Sequence, residues 1–148
     1  MKGRLLGIDH GLKRIGLAVC DSSGLVAREL SILQRTSNAD DFRRILHIVG
    51  EQRVVGLVVG VPVNPEALPD EYTQGDTVRK WIARLAAVTP LPIIEWDEQL
   101  TSADARELSI QKGRKMRDRI DDLAARLILQ SYLDALRDGL AELPEVLR

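Results

Sequence analysis

An aspartate stands where an apolar run stops: Leu5-Leu6-Gly7-Ile8 leads into Asp9, and after His10-Gly11-Leu12-Lys13-Arg14 a second apolar run begins at Ile15. A carboxylate parked at a strand end is poised over a sheet rim. Gly11 and Gly16 allow a tight turn and close ligand approach, while Lys13 and Arg14 set two cations beside Asp9, as a metal-and-phosphate site needs. Alone, these residues would also make a hairpin turn with solvated charges. Two further acidic segments shift the balance. Trp96-Asp97-Glu98 ends the last strand-like segment, and Asp121 lies near the start of a long amphipathic stretch. Three sequence-distant acids delivered to one rim repel unless a divalent cation binds them, and oxygen ligands without a Cys/His cluster select Mg²⁺ or Mn²⁺. The expected chemistry is in-line phosphodiester hydrolysis, with one ion activating water and a second stabilising the leaving 3′ oxygen.

Each acid has a plainer reading beside it. Asp9 can be a turn residue, and Asp97 can serve in place of Glu98. Asp121 competes with Asp122, since adjacent helical residues point about 100° apart and only one can face the rim. Either could instead be an N-terminal helix acid favoured by the macrodipole. Thr101 reads as a helix cap. His47 falls in an amphipathic helix and reads as structural, whereas His10 follows Asp9 in a strand and so points to the opposite face.

The elements that must position these acids follow from periodicity. Arg4–Asp9, Ile15–Cys20 and a segment around Val26–Leu33 read as three strands with short links, the last two joined by an Asp21-Ser22-Ser23-Gly24 turn, which implies an antiparallel meander. Asn38 or Asp40 can cap a helix running to about Gln52, with Phe42, Ile45, Leu46, Ile48 and Val49 at helical spacing. Val54–Val61 is apolar at every position, as suits a central parallel strand covered on both faces. Pro62–Gly75 reads as an irregular loop. Val78, Trp81, Ile82, Leu85 and Ala86 mark a second helix, stopped by Thr89-Pro90, and Pro92–Trp96 makes another strand. Such a strand–helix–strand unit is right-handed and parallel. A short helix near Ala103–Ile110, capped by Thr101 or Ser102, precedes a long one from about Asp118 to Leu140, with Ile120, Leu123, Ala124, Leu127, Ile128, Ser131, Tyr132 and Ala135 inward. The order predicts an α/β, ribonuclease H-like mixed sheet: a three-strand antiparallel meander plus two parallel strands, flanked by helices.

Composition bounds what this sheet can be part of. At 148 residues and 45% hydrophobic content, the chain reads as one domain, residues 1–148, with one ordinary core. A net charge of −1 announces no nucleic-acid partner, so any such role must come from local clustering. Lys112, Arg114, Lys115 and Arg117 supply it, in a basic segment just before the acid of the last helix, where gripped phosphates would lie near the metals. A solvated loop is the plainer alternative. Aromatics are scarce at 3%, so backbone or shape recognition is expected over base stacking. Trp81 reads as core and Trp96 as half-exposed near the rim. The lone Cys20 excludes an internal disulfide and a multi-Cys zinc cluster. Without an apolar run long enough for a signal peptide or a membrane span, the chain reads as cytoplasmic.

Four ordered segments carry a resemblance: Gly7-Ile8-Asp9-His10-Gly11 through Ala18, Val58-Val59-Gly60-Val61-Pro62, Trp96-Asp97-Glu98-Gln99-Leu100-Thr101, and Ile120-Asp121-Asp122-Leu123-Ala124-Ala125 through Leu133. Together they resemble the motifs of the YqgF family, the RuvX-like pre-16S rRNA nucleases and Holliday junction resolvases, over about residues 4–136. The resemblance implies a ribonuclease H-like nuclease whose metal-binding and catalytic acids correspond to Asp9, Glu98 and Asp121. It implies 5′-end maturation of 16S rRNA precursor, with cleavage of four-way DNA junctions as the main alternative. Junction resolution cuts two symmetric strands and would call for a homodimer. One residue departs: the family usually has Arg where this chain has Gln99, which puts a phosphate-contacting or structural cation in doubt. Two rival classes share features of the pattern. Actin-like kinases and ATPases use a similar acid-plus-glycine hairpin but need two such domains around a nucleotide. A non-catalytic nucleic-acid-binding module would keep the fold without needing all three acids.

Overall fold

Five strands form one mixed sheet in the order β3-β2-β1-β4-β5. The computed structural model describes residues 3–98 and 120–148, with 120–122 described through the backbone. In chain order the elements are β1 (Arg4–His10), β2 (Arg14–Cys20), β3 (Ala27–Gln34), α1 (Asn38–Gln52), β4 (Val54–Val61), α2 (Gln74–Ala86), β5 (Ile93–Asp97) and α3 (Ile120–Arg137). β1, β2 and β3 pair antiparallel, and β4 pairs parallel with both β1 and β5. This is the expected ribonuclease H-like arrangement. The predicted helix over 103–110 and the basic segment lie outside the described residues.

Strand alternation divides the core in two. Leu6, Ile8, Ile15, Leu17, Leu57 and Val59 pack with Phe42 and Ile45 of α1 and Trp81 and Leu85 of α2. Leu5, Ala18, Cys20 and Val58 face the other way, onto Ala125, Ile128, Leu129 and Tyr132 of α3. Both faces of β1 and β4 are therefore dry, which explains why β4 is apolar throughout rather than alternating. Each fully buried Leu or Ile contributes roughly 1.5–3 kcal/mol relative to exposure. Cys20 is buried in the second cluster, where its sulfur accepts the Leu5 N–H at 3.2 Å, and burial pushes the thiol pKa up.

Several boundaries differ from expectation for local reasons. Ser37 caps α1, its hydroxyl accepting the Asp40 N–H, so neither Asn38 nor Asp40 is the cap. α2 begins at Gln74, inside the stretch expected as loop, because Thr73 and Asp76 close a reciprocal capping box. Gly75 is needed there, since a Cβ would sit 2.4 Å from the Pro62 carbonyl oxygen. α3 stops at Arg137 rather than Leu140: Gly139 turns left-handed at φ +75°, and the Leu140 N–H reaches back to the Ala135 carbonyl at 2.8 Å. The buried arc of α3 is also wider than expected. Ala125, Leu129 and Leu133 are buried while Leu127 is only partly so. The helix lies across β1, β2 and β3 at once, and a single stripe does not describe that contact. The Asp21 turn forms as expected, with the Asp21 carboxylate accepting the Ser23 hydroxyl and the Leu25 and Val26 N–H groups, which hold its pKa down at about 2. No helix among the described residues is long and apolar enough to cross a membrane.

Candidate active site

Because β1, β4 and β5 run parallel, their carboxyl ends share one rim. Ile8 faces Val59, which faces Glu95, so the next row outward carries Asp9, Gly60 and Trp96. Asp9 pairs across β2 with Gly16 and is 8% exposed. Its pleat position, shared with Leu5 and Gly7, turns it to the α3 side.

Glycines let α3 close onto that face. A Cβ on Gly7 would lie 2.7 Å from the Leu129 Cβ and 2.8 Å from the Ala125 carbonyl oxygen, and one on Gly60 would meet the Ile128 Cδ1 at 2.4 Å. The direction of α3 follows from its polar contacts. Arg126 pairs with Glu29 at 3.7 Å, while Gln130 accepts the Ala27 N–H at 2.8 Å and donates to the Leu25 carbonyl at 3.0 Å, farther from the rim. The amino end of α3 therefore lies toward the rim, with Asp121 and Asp122 in its first turn. Position 121 is one helical turn before Ala125, the residue seated over Gly7.

Glu98 follows the last residue of β5. Trp96 packs on the α3 side, its indole N–H donating to the Ser131 hydroxyl at 3.0 Å and its ring meeting Tyr132 edge-on at 5.1 Å. Glu95 turns the other way, to Arg79 at 3.5 Å. Alternation thus assigns Asp97 to the side of Glu95, opposite Trp96 and Asp9, and Glu98 follows where the strand has ended.

The β1–β2 hairpin closes through the Gly11 N–H donating to the Arg14 carbonyl at 2.9 Å. Glycine is required here, since a Cβ would stand 2.5 Å from that same oxygen. Lys13 is exposed at the hairpin tip beside Leu12, and Arg14 is half-buried. Of the other expected phosphate contacts, Lys112, Arg114, Lys115 and Arg117 lie outside the described residues, as do Gln99 and Thr101.

His10 faces away from Asp9, as its strand position requires. It stacks on Trp81 at 4.8 Å and its Nε2 meets an Arg35 NH group at 3.1 Å. Burial, with Arg35 adding to it, lowers its pKa to about 4, so it is neutral at physiological pH and accepts from the guanidinium. His47 is a surface residue paired with Glu51, not part of the core.

Sequence reasoning missed the network behind His10. Asp41 is wholly buried and accepts from Arg35 Nε at 3.3 Å, Arg44 at 2.6 Å and the Thr36 N–H at 3.1 Å. Burial alone would raise its carboxyl pKa. The Thr36 N–H and the two arginines outweigh that and hold it below the usual range. Arg35 also donates to the Gly11 carbonyl at 3.1 Å and to the Asn38 side chain at 2.9 Å, tying the hairpin to the start of α1. The only signal in the sequence is an acid, Asp41, at a position where α1 shows its apolar face.

Which metal would fit can be judged from donor chemistry. Asp9 and Glu98 offer carboxylate oxygens, Cys20 is buried in the core with its sulfur engaged, and His10 is occupied on the opposite face. An oxygen-only set suits a hard divalent cation. No group of three His, Cys, Asp or Glu residues capable of holding a metal occurs among the described side chains, which exclude that of Asp121.

Comparison with known proteins gives a consistent answer. The profile of the RuvX family, described as "Holliday junction resolvase", matches residues 3–135. A "Putative pre-16S rRNA nuclease" of Thermoanaerobacter pseudethanolicus is 40% identical over 139 residues, covering 91% of this chain and 99% of that protein. One of the same name from Syntrophus aciditrophicus is 42% identical over 136 residues, covering 90% and 89%. Among solved structures, T. thermophilus RuvC in complex with a Holliday junction substrate superposes with a TM-score of 0.62 at 18% identity, covering 95% of this chain and 98% of that one. At that identity the likeness speaks for the fold alone. With the family profile spanning nearly the whole of a RuvC-like, ribonuclease H-type fold, this chain belongs to the RuvX family.

Proposed function

We propose that this protein is a divalent-metal-dependent nuclease that hydrolyses phosphodiester bonds in structured nucleic acid, most concretely at the 5′ end of 16S rRNA precursor. The observation that carries the reading is Asp9. It is a nearly buried carboxylate at the end of β1, on the face that α3 covers, at the rim where three parallel strands end and α3 begins. Asp9, Glu98 and Asp121 would hold the metal. Strand alternation turns Asp97 away from the Asp9 face, which favours Glu98, and the register of the family's Asp-x-x-Ala-Ala motif favours Asp121 over Asp122. A bound Mg²⁺ or Mn²⁺ would supply an activated water and neutralise charge on the scissile phosphate. The chain's own part is to fix the carboxylates on rigid elements and to present Lys13 and Arg14 to the flanking phosphates.

The names of the curated relatives favour the rRNA substrate, and the description of the family profile favours the second reading, a junction resolvase. A cleavage assay with and without Mg²⁺ or Mn²⁺, on rRNA precursor, a four-way junction and linear controls, separates them. Precursor trimming by a monomer supports the first reading. Paired symmetric cuts by a dimer support the second. No cleavage of any substrate in either metal rejects the nuclease reading in favour of a binding module.

A further inference from the structure

A second concave site lies at the same end of the sheet but on its other face. α1, α2 and the loop before α2 enclose a cavity of about 200 Å³, walled by Arg35, Lys80, Arg84, Asn38, Tyr72 and Trp81. Three of its walls are cations and none of the residues lining it is a carboxylate. Thr77, Lys80, Trp81 and Arg84 recur at helical spacing, so α2 turns one face to the cavity.

The cations differ in how firmly they are held. Arg35 is 19% exposed and fixed by Asp41, Asn38 and the Gly11 carbonyl, so its guanidinium is oriented before any ligand arrives. Lys80 lies 4.8 Å above the Tyr72 ring, and the Tyr72 hydroxyl accepts from Thr77 at 3.0 Å. Arg84 is exposed and has no ion pair among the described residues. Asn38 opens α1, so the positive end of that helix dipole also points to this corner. The Trp81 indole N–H, buried in the cavity wall, finds no acceptor among the described residues.

We infer that this cavity is a phosphate-binding site, taking a phosphate of a nucleic-acid strand that crosses the rim from the Asp9 face. The inference rests on the nuclease reading for the source of the phosphate, and on geometry for the site. Its floor, His10, is the residue directly after Asp9, so a strand engaged at Asp9 reaches the cavity within a few nucleotides. Arg35, Lys80 and Arg84 are the charges that meet the phosphate. The site would then set how far the cleaved bond lies from a gripped phosphate. That phosphate could be an internal linkage or a terminal monoester; the chemistry is shared.

The test is a binding titration in EDTA on the Asp9→Asn background, so that cleavage plays no part. The probes are 5′-phosphorylated and 5′-hydroxyl forms of one single-stranded RNA 12-mer, and inorganic phosphate, each at several salt concentrations. Lys80→Gln with Arg84→Gln should weaken RNA binding and flatten its log–log salt slope by about 0.7, the value for one phosphate no longer neutralised on a single strand. Both side chains are exposed, and an unchanged thermal midpoint confirms that the variant folds. A phosphorylated 12-mer that binds more tightly than its hydroxyl form, with the difference abolished in the double variant, identifies a terminal phosphate. Equal binding with the slope still reduced identifies an internal one. An unchanged slope, or no RNA binding by the Asp9→Asn parent, overturns the site. Absence of cleavage by the unsubstituted protein in either metal would instead remove the nuclease reading and leave this binding result standing.

Discussion

Asp9 and His10 are neighbours in β1, yet they end on opposite faces of the sheet, and the two faces handle charge differently. Behind His10, the wholly buried Asp41 has its oxygens engaged by Arg35, Arg44 and Thr36, and the assembly locks the hairpin to α1. On the Asp9 face, the local devices are glycines that bring a helix down until its first turn, with two more acids, reaches the same rim. One face gathers carboxylate and cations to hold shape. The other carries Asp9 at the rim where α3 begins, the place proposed above for a metal. The difference teaches that a buried acid is read by its surroundings: Asp41 is ringed by arginines and anchors, whereas Asp9 stands at an open strand rim where a ligand is proposed.

The largest effect should come from the Asp9 side. Asp9→Asn, Glu98→Gln and Asp121→Asn are each expected to cut metal-dependent cleavage by about 10³-fold or more, about 4 kcal/mol in the barrier, without loss of folding. Single-turnover rates and thermal midpoints check this. Full activity in any one strikes that residue from the set, and activity abolished at Asp122→Asn but kept at Asp121→Asn would mean that the neighbouring acid is the ligand. Activity should require Mg²⁺ or Mn²⁺; an active sample holding stoichiometric zinc would contradict the oxygen-donor argument.

The anchoring side should respond in stability. Asp41→Ala strands two arginines and is expected to cost about 3 kcal/mol, read as a shift in the urea midpoint. The pH dependence has a definite sign. Asp41's folded pKa lies below its unfolded one, so its contribution is fully present above the ordinary carboxylate range and lost as pH falls through the folded value. Wild type should therefore lose stability on acidification more steeply than Asp41→Ala. Equal slopes would mean that the ion pairs contribute nothing net.

A smaller effect sharpens the role of the glycines. Gly7→Ala meets the backbone of α3 and should cost roughly 1–3 kcal/mol and depress cleavage, because the helix must shift. Gly60→Ala meets only the flexible end of Ile128 and should cost less. Reversal of that order, measured by denaturation, would show that α3 is not held by its packing at Gly7.

The smallest expected change concerns the cations proposed to grip phosphate. Replacing Lys112, Arg114, Lys115 and Arg117 with Gln should weaken substrate binding and lower the salt slope by roughly 0.7 to 0.9 for each phosphate no longer neutralised, with metal binding intact. Lys13→Gln with Arg14→Gln is the comparison. Whichever set leaves the slope unchanged is not on the nucleic-acid path.

Much of this architecture is legible in the residues. Val54–Val61 announces a strand dry on both faces, and the apolar runs flanking Asp9 give β1 and β2 to within a residue. The short-range signals at Thr73/Asp76 and Asp138-Gly139 are also in the sequence, but the longer patterns around them hide where α2 starts and α3 stops. The Arg35–Asp41 anchor is not legible, because it depends on a turn bringing β3's end to the start of α1. No periodicity encodes which arginine meets which acid. The arc of α3 exceeds its apolar stripe for a similar reason: a helix spanning three strands buries residues on either side of that stripe.

The single cysteine carries a practical consequence. Cys20 lies inside the core with its sulfur engaged by a backbone amide and its thiol pKa raised, so alkylating reagents will find it slow in the folded protein. A thiol introduced by Leu12→Cys, at a hairpin position that is 76% exposed, would be the fast-reacting one without removal of the native residue. A fluorophore or spin label attached there would stand at the rim beside Lys13, and could report on arriving substrate in a protein whose interior was left untouched.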